Sequence, residues 1–319
     1  MMIESNKKNF RTHLAFMLAS VFAAWGSYLI HVIPIEEPSL PILEALIELS
    51  GRAPDQYRVV PYLLIGLIQD AINSLPGIDV ELRYPVLIFD SVFLYLSVMS
   101  IRKHFDSIGG QSIPWFLLLI YPFLMFDGYR PTASFILFLS IHIVVFMRNA
   151  NADNKKTWIP FTLLIVLMSF TRADVAILFA VSALGLANAS MLLKICVAIV
   201  PLVVQVLLST MIFSDAEYFS QLVMISDNLS LRFLASSPLT YFLIALLVGY
   251  WPSIINFIKQ AAKTHVFVLV AMCGYVVTLF VIARLNEYRL FLPFLPFVLC
   301  FIHYHNYRLI LNDFYFVPF

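Results

Sequence analysis

Long apolar runs separated by short polar breaks make up most of this chain. About 20 apolar residues allow a helix to cross the hydrocarbon core of a bilayer, and shorter runs serve where helices are short or broken. By that measure spans are predicted at 12–33, 84–101, 113–126, 131–147, 158–171, 175–189, 191–213, 237–255, 266–283 and 290–305. A further apolar stretch at 60–75, interrupted by Gln69 and Asp70, reads as a short membrane-dipping or interfacial helix. The predicted fold class is therefore all-α: a polytopic integral membrane protein of about ten transmembrane helices. It forms a single membrane domain over 1–319, with 34–83 as an extracytoplasmic loop carrying interfacial helices.

Two of the breaks carry charge in mid-run. Asp127-Gly128-Tyr129-Arg130-Pro131 divides the run from 113 to 147, and Arg172-Ala173-Asp174 divides the run from 158 to 189. A charge at the bilayer centre costs about 2.5–3.5 kcal/mol on insertion scales. Each break is thus better placed at the tip of a hairpin of two short helices than at the middle of one span.

Composition bears this out. Hydrophobic residues are 61% of the chain and charged residues 12%, against about 25% charged in an average soluble domain. A globule this apolar has too few polar groups to cover itself, so lipid must be the solvent for much of it. The formal net charge of +1 argues against nucleic acid as a partner. Cys196, Cys273 and Cys300 fall in apolar runs without metal-ligand spacing and are expected to be buried structural thiols. The first apolar run follows Lys7, Lys8 and Arg11 but has no small-x-small cleavage site, so it reads as an uncleaved first span.

Sidedness follows from the basic residues. With a cytoplasmic N-terminus, counting crossings places all eight lysines inside, together with Arg11, Arg102, Arg148 and Arg308. Every basic residue on the other side is an arginine: Arg52, Arg58, Arg83, Arg130, Arg172, Arg232, Arg284 and Arg289. Ordinary positive-inside bias accounts for part of this split. The rest has a chemical reading, because a guanidinium offers a planar fork of donors that suits phosphate and carboxylate, whereas lysine is a mobile point charge.

The outer segments also hold acids. Glu36 and Glu37 follow the first span directly; Asp55-Gln-Tyr-Arg58-Val-Val-Pro61 leads into the stretch at 60–75, with Asp55 and Arg58 at same-face helical spacing. An acidic cap beside a snorkelling arginine is the plainer explanation of that string. Tyr129, Arg130, Arg172 and Asp174 occupy the hairpin tips, and Arg284-Leu-Asn286-Glu287-Tyr288-Arg289 sits between the last two spans. Glu287 paired with Arg284 can serve merely to stabilise the turn. Arginines and carboxylates at several separate tips of one face are more than turn-making requires. Asp90 and His142, inside apolar runs, are expected to be satisfied by neighbouring helices, with Asp90 a minor candidate for function. Asn228-Leu-Ser230 matches a glycosylation acceptor but is short enough to arise by chance.

Three strings, Asp55-Gln-Tyr-Arg-Val-Val-Pro61, Phe170-Thr-Arg-Ala-Asp174 and Asn286-Glu-Tyr-Arg-Leu-Phe-Leu-Pro293, together with a long outer loop after the first span, resemble the GT-C superfamily of multispanning glycosyltransferases, in particular its poorly characterised bacterial members. The resemblance implies residence in a bacterial inner (plasma) membrane and transfer of a sugar from a polyprenyl-phosphate carrier to a glycan or lipid acceptor. It implies Asp55 as the base, with Glu36 or Glu37 as the alternative. It further implies Arg58, Arg172, Arg284 and Arg289 as phosphate ligands, with Asp174 and Glu287 orienting them or meeting sugar hydroxyls. The acidic pair after the first span is Glu36-Glu37 rather than the Asp-Glu pair often seen in the family. No cofactor is implied, although two carboxylates with waters can hold a divalent cation.

Two other readings remain. An O-antigen-type polymerase also uses outer arginines but usually carries one long later outer loop, and 214–236 is modest. A lipid-linked sugar transporter or flippase favours mid-depth polar residues and repeated halves, and no internal repeat is evident. No Gly-rich phosphate loop, zinc-binding His-Glu motif or Cys/His cluster is present.

Overall fold

The computed structural model describes residues 2–31, 44–48, 50, 58–105, 112–125, 130–150, 158–185, 190–214, 266–283 and 288–300, with scattered positions between 225 and 259. These form helices joined by turns, with no strand among the described residues. The helices are α1 (Met2–His31), α2 (Val59–Asn73), α3 (Arg83–His104), α4 (Ser112–Leu124), α5 (Thr132–Ala150), α6 (Trp158–Ser169), α7 (Ala173–Ala183), α8 (Met191–Leu207) and α9 (Val266–Ile282). A π-helical turn, Leu208–Ile212, continues α8, and the chain from Tyr288 to Phe294 is a 3₁₀ helix that passes into an α-helical turn at 295–300.

Three helical stretches, Phe10–Ile30, Arg83–His104 and Met191–Ile212, are long and apolar enough to cross a membrane. The others are apolar but shorter. The 13 residues of α4, 12 of α6 and 11 of α7 rise only about 16–20 Å at 1.5 Å per residue, well under a hydrocarbon core of about 30 Å. The stretch at 60–75 is a full helix despite Gln69 and Asp70, because those polar positions lie on or near its exposed side while Pro61, Tyr62 and Ile65 are buried. The expected last span differs most. Pro293 and Pro296 remove backbone donors, and residues 288–294 take the tighter 3₁₀ path rather than beginning an α-helix. The expected span at 237–255 lies mostly outside the described residues.

Pairwise contacts fix the directions. Phe16 packs on Trp115 (ring centroids 4.7 Å), and Gly26 faces Pro122, so α1 and α4 run parallel. Phe93 meets Phe135 at 4.6 Å, Ser100 faces His142 at 3.5 Å, and Arg148 reaches the His104 carbonyl, so α3 and α5 run parallel. The α4–α5 hairpin therefore turns at one end of the bundle, called here the tip end. Arg148 and His104 mark the opposite, base end. The closing segment links the two: Leu290 accepts from Tyr275, Phe297 stacks on Phe179 at 5.2 Å, and Cys300 lies within the field of Arg148 at the base.

Two buried apolar clusters share α3 and α5. Ala133, Leu137, Ile141 and Val145, four residues apart, pack with α1 and α4; Phe135, Leu139, Ile143 and Met147 face α6 and α7. A helix apolar on all sides is an interior helix. The closing segment wedges between the clusters, giving Tyr288, Leu292 and Leu299 to the first and Leu290 and Phe297 to the second. Ser20, Ser27, Ser140, Ser169 and Ser182, all buried, donate their hydroxyls to the carbonyl four residues earlier at 2.7–2.8 Å. This satisfies a polar group without a partner helix.

Large apolar side chains face outward on several helices, including Phe22, Leu119, Leu192 and Met211. Exposed apolar area on this scale marks a surface made for a non-aqueous neighbour. The same outward faces correct the expected burial of the cysteines: Cys196 and Cys273 are exposed on α8 and α9, and Cys300 is half-buried. In a chain whose solvent is lipid, an apolar residue gains nothing from turning inward, so hydropathy alone does not locate it.

Candidate functional site

The turn between α6 and α7 is built to present one side chain. Past Ser169 the chain tightens, with the Thr171 amide donating to the Met168 carbonyl three residues back at 3.0 Å; the Arg172 amide shares that carbonyl at 2.6 Å, and the Thr171 hydroxyl donates to the Leu167 carbonyl at 2.7 Å. Arg172 then leaves the helical region (φ −162°, ψ 97°) to become the N-cap of α7. Two residues on, Asp174 stands in the first turn of α7, where the positive end of the helix dipole favours a carboxylate. The two close a fork: Arg172 Nε donates to Asp174 Oδ1 at 3.0 Å and Nη2 to Oδ2 at 2.5 Å, with side-chain exposures of only 10% and 14%.

Other elements meet this pair. The Arg172 guanidinium lies over the Tyr275 ring of α9, 5.9 Å from its centroid, a distance at which a cation is attracted to the aromatic face. Tyr275 donates its hydroxyl to the Leu290 carbonyl at 2.9 Å, tying α9 to the residue after Arg289. The Val60 amide donates to the Phe170 carbonyl at 3.3 Å, which places Arg58 alongside the same turn. The charges of Arg172, Asp174 and Arg58 all act on the Tyr275 hydroxyl.

The floor beside them is the π-helical turn. Leu208 and Phe213 are buried against Val59, next to Arg58, and Phe170, two residues before Arg172. A π turn inserts an extra residue into a helix and recurs at functional sites. Here it turns Phe213 under the junction, its amide donating to the Leu208 carbonyl at 2.8 Å.

The cluster is also inset. Tyr275 precedes the end of α9, Ile282, by seven residues, a rise of about 10 Å. At the other end of these helices a methyl group on Gly185 would meet the Phe267 ring at 3.2 Å. Thus α7 ends at the base where α9 begins, and α9 continues past the cluster.

Of the residues singled out from the sequence, the structure brings together Arg58, Arg172 and Asp174, and places Arg289 one residue from the Tyr275 contact. Arg289 is buried, at 8% exposure, within the 3₁₀ segment. Arg130 is half-buried at the start of α5, at the neighbouring tip. Glu36, Glu37, Asp55, Tyr129, Arg284 and Glu287 lie outside the described residues. Sequence reasoning missed Tyr275 and Phe213. A lone tyrosine within an apolar run and a phenylalanine after one carry no signal until the helices are packed. Among the described residues, no group of three or more His, Cys, Asp or Glu side chains is placed to hold a metal ion.

A second polar constellation sits in the other cluster. Asp90, fully buried in α3, accepts from the Tyr121 hydroxyl of α4 at 2.6 Å. His142 is held between the Phe138 carbonyl (2.9 Å from Nδ1) and Ser100 (3.5 Å from Nε2). Both are met by neighbouring groups, as expected for polar side chains in apolar surroundings. Asn228 is also buried, its amide donating to the Phe280 and Ala283 carbonyls, so it is not presented as a glycan acceptor.

No family model, curated protein or solved structure matches this chain.

Proposed function

We propose that this protein is a membrane glycosyltransferase of the GT-C type, moving a sugar from a polyprenyl-phosphate carrier to a glycan or lipid acceptor. In this reading the chain crosses a bacterial inner membrane about ten times, the N-terminus is cytoplasmic, and the tip end faces outward. The observation that supports it is the meeting of Arg58, Arg172, Asp174 and Tyr275, from three separate parts of the chain, in one part-buried cluster.

The chemistry fits those groups. An acceptor hydroxyl attacks the anomeric carbon while the bond from that carbon to the carrier phosphate breaks. The phosphate leaves as a polyprenyl phosphate with added negative charge, which preorganised guanidiniums stabilise well in a site poor in water. Asp174 fixes the Arg172 fork, and the Tyr275 ring beneath it limits its swing. The hydroxyl proton passes to a carboxylate; Asp55 is the nearest acid in sequence to Arg58, and general-base help of this kind contributes roughly 10²–10⁴-fold. The inset of about 10 Å suits a phosphate carried on a lipid.

The test uses membranes containing the protein and a radiolabelled polyprenyl-phosphate hexose, with label followed into lipid and glycan fractions. Arg172→Ala and Asp55→Asn should each abolish transfer while the protein remains inserted and folded. Full transfer by both variants overturns the site assignment. A ladder of product lengths in place of a single added sugar would move the reading to a polymerase.

A further inference from the structure

Cations at the two ends of the bundle are treated differently. At the tip end Arg172 pairs with Asp174, and Arg83 pairs with Glu81 at 2.8 Å. At the base end, α3 finishes with Arg102, Lys103 and His104, and α5 carries Arg148 in its last turn. These groups converge. Arg148 Nη1 points to the His104 carbonyl at 3.5 Å, and its guanidinium stands 6.0 Å from the Phe105 ring. Among the described residues no carboxylate pairs with Arg102, Lys103 or Arg148. Lys103 and Arg148 are exposed.

Helix dipoles explain only part of this gathering. The C-terminus of each helix carries about half a unit of negative charge, so two ends offset roughly one positive charge. Arg102, Lys103 and Arg148 bring three formal charges. In the sequence that follows the two helices, Asp106 and Asp153 are matched in number by Lys155 and Lys156, so the surplus of positive charge stands. Like charges held together on rigid helix ends repel, and an anion seated among them removes that repulsion.

We propose that the base-end junction of α3 and α5 is a binding site for the phosphate of an anionic phospholipid headgroup, held by Lys103 and Arg148 with Arg102 adding to the field. The site lies at the end of α3, a helix long and apolar enough to cross a membrane, so it stands at the depth of lipid headgroups. Basic pockets between transmembrane helices hold such headgroups elsewhere. The inference depends on neither the proposed reaction nor the direction of the bundle in its membrane.

The test is native mass spectrometry of the full chain released from phosphatidylcholine bilayers doped with phosphatidylglycerol. Wild type should retain phosphatidylglycerol in preference to phosphatidylcholine. Lys103→Gln, which disturbs no backbone contact, should weaken that retention severalfold. Lys103→Gln with Arg148→Gln should weaken it on the order of tenfold. Lys259→Gln, an exposed lysine elsewhere, is the control and should change nothing. Equal loss in the control means a general surface field, and unchanged retention in the double variant means no site; either result overturns the proposal. Displacement of the lipid by millimolar inorganic phosphate would reassign the site to a free anion, so the proposal expects retention to survive it.

Discussion

Tyr121 donates its hydroxyl to the Asp90 carboxylate across the α3–α4 interface at 2.6 Å, with both side chains fully buried. Removing one partner of a buried hydrogen bond costs about 1–3 kcal/mol, because the group left behind does not regain water. Tyr121→Phe should therefore lower unfolding stability in detergent by an amount in that range. Asp90→Asn should cost less, and the double variant less than the sum of the singles. Additive losses in that cycle would mean the two groups do not act on each other.

Asp174 holds Arg172 by a fork of two donors in a part-buried setting, so removing the acid leaves a guanidinium without its counter-charge. For buried pairs that loss runs to about 3–5 kcal/mol, and the exposures of 10% and 14% place this pair toward the lower end. Asp174→Ala should be more damaging to folding than to any surface property. Arg172→Lys should retain the fold but lose most transfer activity, because an ammonium cannot reproduce the planar fork. Transfer assayed beside thermal unfolding separates the two effects; wild-type transfer by Arg172→Lys would remove the fork from the mechanism.

How far the sequence announces these arrangements depends on how local they are. The helix ends near 127–131 and 172–174 are legible because charges and a Gly-Pro break are costly at mid-span, and α4 and α6 stop close to those strings. The Arg172–Asp174 fork is legible too, since only Ala173 separates its partners. The approach of Arg58 to Phe170 is not. It depends on α2 docking against the α6–α7 turn, and the Val60–Phe170 hydrogen bond joins positions more than 100 apart. The outward turn of Cys196 and Cys273 was equally hidden, because hydropathy does not distinguish a protein interior from lipid.

Asn228 closes the end of α9. Its amide donates to the Phe280 carbonyl at 2.9 Å and the Ala283 carbonyl at 2.7 Å, two of the acceptors that a helix C-terminus leaves without intrahelical partners. Each such bond contributes about 0.5–1.5 kcal/mol. Asn228→Ala should accordingly destabilise by about 1–3 kcal/mol and raise amide exchange at the end of α9 before other helices respond. Asn228→Asp supplies no donor and should behave like alanine or worse. Unchanged exchange over 278–283 would show that the cap is not what holds this end.

Tyr275 has two separable functions at the cluster, and two substitutions divide them. Its hydroxyl fixes the Leu290 carbonyl and with it the 3₁₀ segment carrying Arg289; its ring lies under the Arg172 guanidinium and packs edge-on against Phe294 at 5.4 Å. Tyr275→Phe keeps the ring and loses only the hydrogen bond, so stability should fall by about 1 kcal/mol with Arg172 still in place. Tyr275→Leu loses both, adding the packing term and the cation–π attraction, which contributes about 0.5–2 kcal/mol. If Arg172 and Arg289 act on one substrate, Tyr275→Phe should weaken substrate binding through Arg289 alone, and Tyr275→Leu through both. Apparent KM for the carrier-linked sugar should then rise in two steps across the series. A single step, already complete in the phenylalanine variant, would assign the whole effect to the 3₁₀ segment and leave the ring as packing.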